Sequence, residues 1–114
     1  MSELVIACNP GAFTQRQRQR YDALREQVRS AAGQVDEIEE GFVLRFATEP
    51  AVLGAVAEWI ALERLCCPFL DFILEVPAAR EFATVRITGP EGTKAVLREG
   101  MAQPLFSPQR LVRR

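Results

Sequence analysis

This sequence predicts an α+β domain with a four-stranded antiparallel sheet packed by helices. Three observations predict it. Short stretches alternate apolar and polar residues with period two, longer stretches carry helical periodicity with cap signals, and the two kinds follow one another as strand, helix, hairpin, helix, hairpin, helix. At 114 residues, 48% hydrophobic and 25% charged, the chain has the size and balance of one globular domain. We therefore read residues 1–114 as a single domain, with 101–114 a loosely structured tail.

The elements follow in order. Leu4 to Cys8 is a short apolar run that reads as an edge strand, broken by Asn9-Pro10-Gly11. Thr14 with Gln17 forms a capping box, so a helix starts near Gln15 and runs to about Ala32, with Gly33 as its stop. Tyr21, Leu24, Val28, Ala31 and Ala32 form its apolar stripe. Val35 to Thr48 reads as a hairpin. Phe42, Leu44 and Phe46 alternate with Val43, Arg45 and Ala47, and Gly41 marks a turn expected to need positive φ. The arm Val35–Glu40 is charged and reads as an edge.

Thr48-Glu49-Pro50 opens a second helix, which Pro68 ends near Cys66 by driving Cys67 toward extended geometry. Leu70, Phe72, Leu74 and Val76 alternate along a strand. Phe82 to Thr88 forms the next, with Ala83, Val85 and Ile87 on one face. Thr88 with Glu91 reads as a second capping box, which predicts a last helix over roughly Pro90 to Glu99. Pro104 and Pro108 bar regular structure from the tail.

Composition excludes several function classes. The chain has no histidine, so His-based triads, His general bases and His-containing metal sites are absent. Fourteen basic residues against fifteen acidic ones leave a formal charge of −1, which argues against a nucleic-acid binder. No window nears the ~18 apolar residues of a membrane span. Three cysteines, an odd number, and an N-terminus without a basic leader predict a reduced, cytoplasmic protein.

The second helix carries the one anomaly. With Val52 set at zero on the helical wheel, Val56 falls near about 40°, Trp59 near about 340° and Ile60 near about 80°. Glu63 falls near about 20°, at the centre of that apolar face, with Cys66 near about 320° one turn on. A carboxylate directed into a core must be paired, hydrogen-bonded or protonated. Arg45 and Arg86 are the candidate partners. Cys8 joins the cluster if its strand docks beside the second helix. Against joint chelation, neighbouring cysteines diverge by about 100° on a helix. The helix C-terminus also raises thiol pKa values.

The plain structural reading is that Glu63 snorkels or makes a structural ion pair and the cysteines are small core hydrophobes. Three functional readings stand beside it, in order. The first is a small non-enzymatic protein in which Glu63, Cys66, Cys67 and Trp59 line a pocket for a small-molecule ligand or a partner, with no cofactor. The alternative is a thiol site, either redox-active or holding a soft ion such as zinc or mercury on Cys66, Cys67, Glu63 and Cys8. The third is a small enzyme with Glu63 as general acid/base. A helix with only Glu58, Glu63 and Arg64 charged between Ala51 and Cys67 also predicts burial on more than one side, by a second subunit in a homodimer or by the layers of a three-layer monomer. Phe69 and Ile73 point the same way, because they make a second sheet face apolar. The Gly89–Lys94 turn has the wrong spacing for a phosphate loop. The alternating Gln and Arg of residues 15–20 read as a solvated face.

Glu63-Arg64-Leu65-Cys66-Cys67-Pro68-Phe69-Leu70 and the later Thr88-Gly89-Pro90-Glu91-Gly92 carry a resemblance. The C-terminal two-thirds of the chain is similar to a group of small bacterial proteins with a Glu-x-x-Cys-Cys-x-Phe-Leu stretch and a comparable turn. That group has no established activity. The resemblance implies that the Glu/Cys cluster is a shared feature, and it implies no mechanism.

Overall fold

The computed structural model describes residues 9–99 and 111–112. A single 3-10 turn, Pro10–Ala12, leads into α1 (Gln15–Ala31). Then come β1 (Val35–Ile38), β2 (Gly41–Ala47), α2 (Pro50–Cys66), β3 (Asp71–Glu75), β4 (Phe82–Thr88), α3 (Thr93–Glu99) and β5 (Leu111–Val112). Helix α1 starts where its capping box places it: Thr14 Oγ1 accepts from Gln17 N at 3.1 Å and Gln17 Oε1 accepts from Thr14 N at 2.9 Å. Helix α2 starts at Pro50, whose missing N–H is one the first turn leaves unused anyway.

The sheet runs β3-β4-β2-β1-β5. Its first four strands are antiparallel throughout, so the predicted α+β class and element order hold. Alternation decides what faces what. Phe42, Leu44, Phe46, Ala83, Val85 and Ile87 share one face, each 1% exposed or less. All of these but Ala83 form one core with Tyr21, Leu24 and Val28 of α1, Val56 and Trp59 of α2, and Leu97 of α3. Trp59 meets Phe72 of β3 edge to face, with ring centroids 5.9 Å apart. The opposite face carries Ile73, Arg86 and Arg45, with the Arg45 guanidinium over the Phe82 ring at 4.3 Å.

Four expectations need correction. The last helix begins at Thr93, because Pro90–Gly92 is spent on a turn in which Gly92 takes φ 95°, so Thr88 ends β4 instead of capping. Gly41 is needed for space and not for a positive φ: a Cβ there would lie 1.8 Å from the Ile87 carbonyl oxygen on β4. Phe69 lies outside the strand and packs into the core, so it does not extend an apolar second face. The tail contributes Leu111–Val112, which pairs parallel with β1 through Val35↔Leu111 and Asp36↔Val112. The strand expected over Leu4–Cys8 lies outside the described residues, as does the rest of the tail. Among the described residues no helix is long and apolar enough to cross a membrane.

Candidate functional site

The site is assembled where α1 crosses α2 above the sheet. Arg20 of α1 clamps Glu58 of α2 through two hydrogen bonds of 2.7 and 2.6 Å. The next residue, Tyr21, is thereby held over the following turn of α2. Its ring packs on Phe13, with centroids 4.8 Å apart, and its hydroxyl donates to the Glu63 carboxylate, 2.9 Å from Oε2 and 3.1 Å from Oε1. Glu63 is 1% exposed, in a row of buried residues that runs Val56, Trp59, Glu63, Cys66 along α2.

Cys66 is the last residue of α2, and Cys67 is its C-cap. At φ −122° and ψ 76° Cys67 has left the helix, although its N–H still donates to the Glu63 carbonyl at 2.8 Å. That change of backbone defeats the divergence expected of neighbouring helical cysteines. The Cys67 sulfur turns back to lie 3.4 Å from Glu63 Oε1. A donor atom from each of Glu63, Cys66 and Cys67 lies within 4.8 Å of the others, all three residues buried. Cys66 is a free thiol and Cys67 is disulfide-bonded, so the fully reduced state expected from the cysteine count does not hold at Cys67. The backbone N–H of Asn9 donates to the Cys66 carbonyl at 2.6 Å, which ties Asn9 to this helix end. Cys8 lies outside the described residues.

Burial pushes the Glu63 carboxyl up to about 7. The Tyr21 hydroxyl, the positive field of Arg25 and the Trp59 indole work in the other direction and only partly offset it. Burial, then the Glu63 charge, raises the Cys66 thiol and holds it protonated. The same two causes drive the Tyr21 phenol well above its ordinary value. The buried Trp59 Nε1 acts on the Glu63 carboxylate without a hydrogen bond of standard geometry. Burial therefore favours the protonated forms of both Glu63 and Cys66.

Neither expected arginine reaches the carboxylate. Period-two alternation puts Arg45 and Arg86 on the face of the sheet away from the helices. Sequence reasoning missed Tyr21 as the partner of Glu63. The signal was present: a tyrosine inside an apolar helical stripe must find a buried partner for its hydroxyl, and Arg25 stands four residues on, on the same face. Two clefts open elsewhere on the molecule. One of about 510 Å³ is lined by Glu39, Glu40 and residues 89–95. The other lies among Asp22, Arg25, Glu26 and Arg29 of α1. No family model, no curated protein and no solved structure matches this chain significantly.

Proposed function

We propose that this chain is a small thiol–carboxylate binding protein, not an enzyme, and that it holds a thiophilic metal ion on Glu63, Cys66 and Cys67. One observation carries the reading: three potential donor atoms of the right chemistry converge within 4.8 Å inside the core. Cysteine sulfur selects soft ions such as zinc, cadmium or mercury. The two described clefts are lined by other residues, so a single ion suits the cluster better than a small organic ligand. Because a metal needs thiolates, the working form is the one with Cys67 reduced, which fits a reducing compartment such as the cytoplasm. We also propose a homodimer, supported by the exposed apolar side chains Leu65, Ile73, Leu74 and Val76.

The test is titration of the fully reduced chain with Zn²⁺, Cd²⁺ and Hg²⁺. The expected result is one ion per chain, loss of thiol reactivity at Cys66 and Cys67, and a rise in melting temperature. Affinity should also increase with pH as displaced protons leave more easily. Unchanged thiol reactivity and an unchanged melting temperature with all three ions would refute the reading. A second reading is thiol–disulfide exchange, favoured by a free Cys66 thiol beside the disulfide-bonded Cys67. The raised Cys66 pKa works against it, since the thiolate is the attacking species.

A further inference from the structure

The cleft of about 510 Å³ lies where the β1–β2 turn meets the segment that joins β4 to α3. Its volume falls within the ~300 to 1,000 Å³ of small-molecule sites. Three exposed carboxylates line it, Glu39 and Glu40 from the first wall and Glu91 from the second. The one lining cation, Lys94, is already engaged: its Nζ donates to Glu37 Oε2 at 2.9 Å and to the Ile38 carbonyl at 3.1 Å. Arg98 of α3 also pairs with Glu37. The rim of the cleft is therefore negative, although one wall is a glycine-rich turn.

Exposed acids are common, and a second feature sets these apart. Thr93 lines the same cleft and is only 1% exposed, and its Oγ1 is buried with no hydrogen-bond partner among the described residues. The hydroxyl points at Gly89, another lining residue, because a Cβ added there would lie 2.4 Å from Oγ1. Buried polar groups are nearly always satisfied, so an orphaned hydroxyl on a cleft wall marks where a ligand's polar group belongs. The missing side chain of Gly89 leaves the space beside it open. The Gly89 N–H donates to the Glu40 carbonyl at 3.3 Å and joins the two walls. The cleft is thus formed before anything enters it, which lowers the ordering cost of binding.

We propose that this cleft binds a linear di- or polyamine, whose ammonium groups pair with Glu39, Glu40 and Glu91 while one N–H donates to Thr93 Oγ1. The site is separate from the Glu63 cluster and does not depend on the metal-binding reading. Charge selects the ligand class. An anion would meet three carboxylates. A metal ion needs its donors gathered closely around it, and among the described residues the group that meets this condition is Glu63, Cys66 and Cys67. Carboxylates spread over both walls suit separated positive charges on a flexible apolar stem, oriented by charge-assisted hydrogen bonds.

The test is equilibrium dialysis of the full chain against labelled spermidine, with 1,4-diaminobutane, 1-aminobutane and Mg²⁺ as competitors. The expected result is one spermidine per chain, displaced better by the diamine than by the monoamine, not displaced by equimolar Mg²⁺, and released by salt. Thr93→Val replaces the orphaned hydroxyl with a methyl group of similar shape, a change the fold tolerates. It should weaken binding by roughly tenfold, the effect of losing one charge-assisted hydrogen bond. Glu91→Gln, at an exposed position, should weaken it comparably and decides alone if Thr93→Val fails to fold. Glu81→Gln, exposed but outside the cleft, should leave binding unchanged. No retention of spermidine at millimolar concentration would overturn the proposal. Equal effects of Glu81→Gln and Glu91→Gln would also overturn it, as the mark of loose attraction to acidic surface. Displacement by equimolar Mg²⁺ would assign the cleft to a metal ion instead.

Discussion

Glu63 is the residue on which the chemistry of this core turns. A carboxyl that titrates at about 7 in the folded chain and near 4.5 when unfolded binds more protons folded than unfolded between those values. Stability is therefore greatest below about pH 4.5 and falls as pH rises through about 7. At about 1.4 kcal/mol per pH unit the full loss is about 3 kcal/mol. Glu63→Gln keeps an acceptor for the Tyr21 hydroxyl and removes the charge. In the metal-free protein, urea midpoints of the variant should lose this pH slope, and at the alkaline end the variant should match or exceed wild type. A slope that survives the substitution would assign the titration to another group. Tyr21 makes the charged form tolerable: without its hydroxyl a buried carboxylate would lack a donor, a loss of about 1–3 kcal/mol for a neutral group and more for an ion.

At the scale of elements, close approach and capping decide geometry. The β2–β4 contact is tight enough at Gly41 that no side chain fits against the Ile87 carbonyl. Gly41→Ala should open that end of the ladder and cost several kcal/mol, in the range of the largest single-residue effects. Thermal melts would show it, and a variant within about 0.5 kcal/mol of wild type would mean that the strands adjust freely there. Helix α3 is held to the same end of the sheet by charge. Lys94 Nζ donates to Glu37 Oε2 at 2.9 Å and to the Ile38 carbonyl at 3.1 Å, and Arg98 also pairs with Glu37. These bonds hold the Glu37 carboxyl well below the usual carboxylate range. Its contribution to stability is accordingly present above the ordinary value and lost only in strong acid.

At the scale of the whole molecule, the sheet has one buried face and one open face, and β3 forms an edge. Ile73 is 58% exposed on the open side of that edge strand, the most exposed large apolar residue among those described. If the proposed dimer uses this surface, light scattering should give twice the chain mass for wild type and the single-chain mass for Ile73→Lys. A monomeric wild type at high concentration would rule the dimer out. The Arg20–Glu58 and Tyr21–Glu63 bonds both cross between α1 and α2, so the packing of two helices and the wiring of the site are one structural fact.

Much of this protein was legible in its sequence, because periodicity and caps are local. The Thr14–Gln17 box, the Phe42/Leu44/Phe46 alternation and the Pro50 helix start each act within a few residues, and each stands where it was read. The wheel position of Glu63 likewise announced a buried carboxyl. The partner of that carboxyl was not local. Tyr21 is forty-two residues away, and only the crossing of α1 over α2 selects it. The convergence of Cys66 and Cys67 depended on a single backbone step out of the helix at Cys67. Sequence settles what a segment prefers, since those energies are set by neighbours along the chain. Tertiary packing decides which buried polar group meets which, since that depends on where distant segments come to rest.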